Sequence, residues 1–179
     1  LLDDKSAFYL SVPTHVDEVL VKEVLKRYMP DVSDKDLDKI CSRIYKVYLG
    51  INNSKFKTEI QASADTNIPI SFLPRILSKK NGWTTREPIV SNLQGEYKIF
   101  NLDNLDLCFP SSNLAFFGRE IDEMVSKYDE IFFSSQVENP YNSPLDDEIY
   151  TFLNNNSDEI RFYAIKPQSF LNNLTGTSL

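Results

Sequence analysis

Apolar residues recur at two different periods along this chain, and the changes of period divide it into elements. Val16, Val19, Leu20 and Val24 fall at helical intervals, so a helix is expected from 14 to about 29. Thr14-x-x-Asp17 supplies a capping-box-like start, and Pro30 a stop. A shorter helix over 33–42 turns Leu37, Ile40 and Cys41 inward. The period then falls to two. Residues 44–51 are rich in β-branched and aromatic side chains. Over 55–63, Phe56, Thr58, Ile60 and Ala62 alternate with Lys55, Lys57, Glu59 and Gln61, the pattern of a strand with one wet face. Asn52-Asn53-Ser54 suits the hairpin turn between them, because Asn tolerates positive φ.

The remaining segments follow the same logic. A strand over 7–12 precedes Pro13, and a helix over 71–80 is closed by Asn81-Gly82. A second hairpin is expected over 96–100 and 105–109, then a strand over 114–117, a helix over 118–130 and a strand over 131–134. Residues 136–147, with Pro140 and Pro144, read as an exposed loop. A helix over 145–153, a strand over 159–165, a helical turn over 168–174 and a polar tail complete the chain. The expected fold class is α+β: a mainly antiparallel sheet of hairpins flanked by several short amphipathic helices, in a single mixed α/β domain over 1–179. Phe8-Tyr9-x-x-x-Pro13 recurs as Phe162-Tyr163-x-x-x-Pro167, which leaves 159–179 open to reading as the start of a second, repeat-like unit.

Composition narrows the function. The 41% hydrophobic content supplies a core, yet no stretch approaches the roughly 18 apolar residues of a membrane-spanning helix. The net charge of -7 is uneven: residues 1–90 sum to +2 and residues 91–179 to -9. Nucleic acid is excluded as a partner, because the densest basic run, Arg75, Lys79, Lys80 and Arg86, is too sparse for phosphate binding. The chain starts Leu1-Leu2-Asp3 without methionine, so any signal peptide or lipid-carrying cysteine would lie upstream. Cys41 and Cys108 have apolar neighbours and read as buried thiols. The sequons at Asn52, Asn155 and Asn173 bear on function only in a eukaryotic secretory setting.

Candidate chemistry is sparse. One histidine and five glycines leave no phosphate loop, nucleophile elbow or metal-ligand cluster. Asp34, Asp36 and Asp38 alternate like calcium ligands, but Lys39 and Tyr45 stand where the loop needs Gly and Glu, so they read as a solvated helix face. Asp146, Asp147 and Glu148, like Asp122 and Glu123, sit where a helix dipole favours acids. His15 reads as a surface or capping residue. No catalytic residue, metal or cofactor is therefore expected. The segment 68–83 carries more content, because it joins a strongly apolar helix to a basic end and the only tryptophan. It suits either a membrane interface or the core. The candidate lipid contacts are Ile70, Phe72, Leu73, Ile76, Leu77 and Trp83. Phe109, Leu114, Phe116 and Phe117 either line an apolar cavity or fill the core. The acidic second half offers Glu138, Asp146, Asp147 and Glu148 as a partner face.

Three stretches together resemble a known family. They are Ser42-Arg43-Ile44-Tyr45-Lys46-Val47-Tyr48-Leu49-Gly50, the proline-led segment 68–83 ending Lys79-Lys80-Asn81-Gly82-Trp83, and Phe109-Pro110-Ser111-Ser112-Asn113. They are similar to spirochaetal envelope lipoproteins of the treponemal outer-membrane-associated type, over most of 7–134. The resemblance implies a mixed α/β fold with amphipathic helices, a periplasmic location at the inner leaflet of the outer membrane, and membrane perturbation or lipid handling. It brings no catalytic residues. The expectation is thus a non-enzymatic envelope protein that engages lipid or a membrane surface, the alternative being an envelope interaction module that uses the acidic half.

Overall fold

The computed structural model describes residues 2, 6–13, 18–53, 58–103, 105–134, 147–154 and 159–165. The elements run β1 (Phe8–Pro13), α1 (Glu18–Tyr28), α2 (Asp34–Cys41), β2 (Ile44–Asn53), β3 (Thr58–Thr66), α3 (Leu73–Ile76), β4 (Thr84–Arg86), β5 (Ile99–Leu102), β6 (Leu105–Ser111), β7 (Leu114–Gly118), α4 (Asp122–Ser134), α5 (Asp147–Asn154) and β8 (Arg161–Ala164). The strands form one eight-stranded sheet in the order β4-β5-β6-β7-β3-β2-β1-β8. Every neighbouring pair is antiparallel. The α+β class, with its hairpin sheet and short helices, is therefore the observed one.

Register explains how the sheet divides the molecule. Directly paired residues point to the same face. On one face Phe162, Leu10, Leu49, Ala62, Phe117, Leu107 and Phe100 stand opposite one another in an unbroken apolar row across seven strands. The equivalent row on the other face reads Tyr163, Tyr9, Gly50, Gln61, Gly118, Asp106 and Asn101. Each face has its own core. The face that carries Tyr9 buries Cys108 and Phe116 with Met124 and Val125 of α4 and Ile149 and Leu153 of α5. The opposite face buries Phe100 with Leu37 and Ile40 of α2, Leu73 and Ile76 of α3, and Trp83.

Local sequence accounts for several boundaries. Ser33 caps α2, its hydroxyl accepting the Asp36 N–H at 3.2 Å, an arrangement worth about 1 kcal/mol. Gly82, at φ 79°, ends the turn Lys79–Asn81 in the left-handed conformation that glycine adopts without strain. A side chain at Gly118 would meet the Ile60 carbonyl at 2.6 Å, so glycine is what lets β7 lie against β3 there.

Four expectations are corrected. The segment 71–80 is not one helix. It is α3, a single turn, between the 3-10 turns Ile70–Phe72 and Lys79–Asn81. Leu77 leaves the helical conformation at φ -88°, ψ 59°, and Ser78 turns to extended backbone at φ -105°, ψ 160°. Residues 131–134 are not a strand but the last turn of α4, where Tyr128 and Phe132 stack at 5.6 Å in i, i+4 positions. β3 does not divide into one wet and one dry face: Ala62, Ser63 and Ala64 are buried on both sides of its centre, whereas Ile60, expected on the dry side, is 45% exposed at its start. Asn52 and Asn53 do not turn but continue β2, paired with Glu59 and Thr58.

Strand β4 was not expected at all, since Thr84–Arg86 is too short to show a period. The aromatic echo has a structural meaning: β1 and β8 are antiparallel neighbours in which Tyr9 faces Tyr163, and Phe8 stacks on Phe162 at 6.0 Å. The helical starts at Thr14 and His15, the residues 54–57, the loop 136–146 and the segment 168–174 lie outside the described residues.

Candidate functional site

Among the described residues, the apolar face of the sheet joins a buried cluster chiefly at one end, while Phe8, Ala62 and Ala64 are buried farther along it. At its β5–β6 end, Phe100, Leu102, Leu105 and Leu107 pack beneath α2 and α3. Across β7, β3, β2 and β1 the row continues through Phe117, Leu49 and Leu10, flanked by Val47, Ile51 and Val12, and none of these belongs to either buried cluster. They are partly buried. Ile60, directly opposite Ile51, is 45% exposed, and Phe162 at the far end 46%. Apolar surface arranged in one row on a rigid sheet, partly in contact with water, is the arrangement that receives an apolar ligand. Helix α1 packs on α2, with Val19 69% exposed.

The sequence-predicted contacts separate into two sets. Leu73, Ile76, Leu77 and Trp83 are buried in the α2–α3 core. Ile70 is half exposed and Phe72 is partly buried. Phe72 receives Arg75 and Lys39 over its ring, at 5.6 and 5.9 Å. Phe116 is core, Leu114 packs against the same core, Phe109 packs against the α2–α3 cluster, and Phe117 joins the open row. Of the acidic candidates, Asp147 and Glu148 form the exposed first turn of α5, whereas Glu138 and Asp146 lie outside the described residues, as does His15. The open row was missed in sequence, although Val47-x-Leu49-x-Ile51, alternating with Lys46, Tyr48 and Gly50, carried its period.

Ionisable groups serve the scaffold. Arg86 donates to both carboxylate oxygens of Asp122 at 2.7 Å and to Asp106 at 2.6 Å. The guanidinium holds the Asp122 carboxyl below its usual range, and the two carboxylates raise Arg86. Asp129 accepts the N–H groups of Gln94 and Gly95 and the Tyr97 hydroxyl, at 2.8–2.9 Å. Burial opposes its ionisation, but these three donors outweigh it and lower the carboxyl. Together Asp122 and Asp129 tie the segment 87–98 to α4. On the same face Lys46 donates to the Leu153 carbonyl at 2.7 Å and Arg161 to that of Phe152 at 2.8 Å, so two cations close the C-terminus of α5. Asp34 and Asp38 pair with Lys26 and Lys22, and Asp36 with Arg75 at 2.8 Å. Cys41 and Cys108 are free and buried, and burial pushes the Cys108 thiol up to about 12. Among the described residues no three metal-ligating side chains converge, and no helix is long and apolar enough to cross a membrane.

Residues 1–179 match the family described as outer membrane-associated lipoprotein TP0453. Crystal forms IV, III and I of TP0453, a treponemal protein, share the fold at a TM-score of 0.61. Form IV is 16% identical over 96% of this chain and 65% of that one, and form I is 17% identical over 98% and 65%. The chain thus spans just under two thirds of the length of these relatives. No curated protein sequence matches it.

Proposed function

The chain belongs to the TP0453 family of outer membrane-associated lipoproteins, and on that premise we propose that it is a non-enzymatic cell-envelope protein that binds lipid on its open sheet face, at the periplasmic side of the outer membrane. One observation carries this reading: among the described residues the row through Phe117, Leu49 and Leu10, partly exposed on either side of the buried Ala62, continues past the edge of the α2–α3 core that covers its other end. A lipid acyl chain laid along it would cover aliphatic surface at about 25 cal/mol per Å². Polar headgroups would remain at the sheet margin, in water.

The test uses a pair that preserves the sheet. Ile51 and Ile60 are directly paired across β2 and β3. Ile51→Lys/Ile60→Glu replaces an apolar contact with a cross-strand ion pair, so pairing survives while the surface turns polar. Vesicles of phosphatidylethanolamine and phosphatidylglycerol carrying a fluorescent phospholipid serve as donors. The parent chain should take up the phospholipid, and the variant should lose at least about tenfold in affinity, roughly 1.4 kcal/mol. Absence of uptake by the parent, or equal uptake by the folded variant, overturns the reading.

A further inference from the structure

The row proposed above to hold lipid is not evenly open. Ala62 and Ala64 of β3 are 0% and 3% exposed. Leu49 and Val47 of β2, and Leu10 and Val12 of β1, are partly buried. Phe162 of β8 is 46% exposed. Exposure thus rises from β3 toward the β8 edge, and the row closes at Ala62. Beyond Ala62 the face runs through Phe117 and Leu107 to the α2–α3 core. The approach to the row is therefore from β8.

The β8 end presents apolar side chains to this face. Successive strand residues point to opposite faces, so Phe162 and Ala164 stand on this one and Arg161 and Tyr163 on the other. Arg161 is held on that other side, where its guanidinium donates to the Phe152 carbonyl of α5 at 2.8 Å. The buried Phe8 backs the Phe162 ring at 6.0 Å, and Ile160, just before the strand, is 56% exposed. Past this mouth, the side chains of Leu10, Leu49, Val12 and Val47 have no hydrogen-bonding group to offer. A charged headgroup moved onto them would lose its hydration and find no partner. A hydrocarbon tail needs none.

We infer, resting on the lipid reading above, that a lipid enters this surface tail first from the β8 edge, with the end of its acyl chain at Ala62 and its headgroup left outside Phe162. Direction and depth both follow from the sheet. From β8 through β1 and β2 to β3 there are three inter-strand steps, which make about 14 Å at about 4.8 Å each. An extended chain advances about 1.3 Å per carbon, from C–C bonds of about 1.5 Å at tetrahedral angles, so the row shelters about eleven terminal carbons. The rest of a longer chain, with the glycerol and headgroup, stays outside, where a bilayer still holds it. Transfer then never exposes the whole lipid to water.

Phosphatidylcholine with a doxyl spin label on one chain, placed either near the glycerol or near the methyl end, tests this. The full 179-residue chain is loaded from labelled vesicles, and the vesicles are removed by centrifugation. Amide NMR intensities are then compared before and after reduction of the label with ascorbate. The label near the methyl end should cost the Ala62 and Leu49 amides most intensity. The label near the glycerol should cost Phe162 and Ala164 most and Ala62 least. Reversed patterns, or one pattern from both labels, overturn tail-first entry while lipid binding on the row stands. Intensity lost only in β4 and β5 puts the lipid elsewhere and overturns both the entry route and the row. A chain that carries no label away overturns the lipid reading itself, and tail-first entry with it.

Discussion

At the scale of single residues, the strongest dependence should lie on Arg86. Its side chain neutralises Asp106 and Asp122 together, and Asp106 is almost fully buried. Arg86→Ala leaves both carboxylates without their cation, and such a loss costs about 3–5 kcal/mol. Urea denaturation should show it as a lower midpoint with unchanged slope. Arg86→Lys should recover only part, because an ammonium cannot make the bidentate contact. The two lowered carboxyls, Asp122 and Asp129, set a pH dependence of definite sign. Their stabilisation is complete above the unfolded carboxylate pKa, near about 4, and is lost as pH falls through their folded values. Hydrogen exchange at the Gln94 and Gly95 amides should therefore accelerate, beyond the intrinsic pH effect, as pH falls below about 4. Asp129→Asn should abolish that acceleration and raise exchange at neutral pH. None of this was legible in sequence. Asp122 read as a dipole-favoured acid, and its partner Arg86 lies 36 positions upstream, beyond the reach of any local pattern.

Among elements, legibility followed how locally each was determined. Helix α2 emerged at its expected place because Ser33, Leu37, Ile40 and Cys41 encode both cap and buried face within ten residues. The 71–80 segment shows the opposite case. Its apolar count suggested one amphipathic helix, but Ile68, Leu73, Ile76, Leu77 and Trp83 reach the same core from a chain of short turns, so burial rather than helical hydrogen bonding holds it. That assigns Trp83 to stability. Trp83→Ala should cost about 3–5 kcal/mol by cavity formation. Trp83→Phe should cost far less, because the indole Nε1 has no hydrogen-bond partner among the described residues to lose. Thermal denaturation of both variants checks the order. The final turn of α4 was misread because Ile131, Phe132 and Phe133 have strand propensity, and only the stack of Phe132 on Tyr128 discloses the helical period. The open sheet row lay between these cases: its alternation was present in β2, but its openness depends on which helices cover which strands.

On the scale of the whole molecule, burial and charge act on the proposed lipid surface in different ways. The sheet row is aliphatic and aromatic, so lipid uptake there is driven by the removal of apolar area from water. The chain as a whole carries -7, which opposes approach to an anionic surface at long range. Salt separates the two. Raising ionic strength from about 0.1 to about 1 M shortens the screening length from about 10 to about 3 Å. Lipid uptake from uncharged phosphatidylcholine vesicles should hold constant across that range, whereas uptake from anionic phosphatidylglycerol vesicles should rise as the repulsion is screened. Ile51→Lys/Ile60→Glu should lower both by a similar factor, because it removes apolar surface without changing the net charge. Uptake that falls steeply with salt from either vesicle would mean that charge, and not the apolar row, holds the lipid.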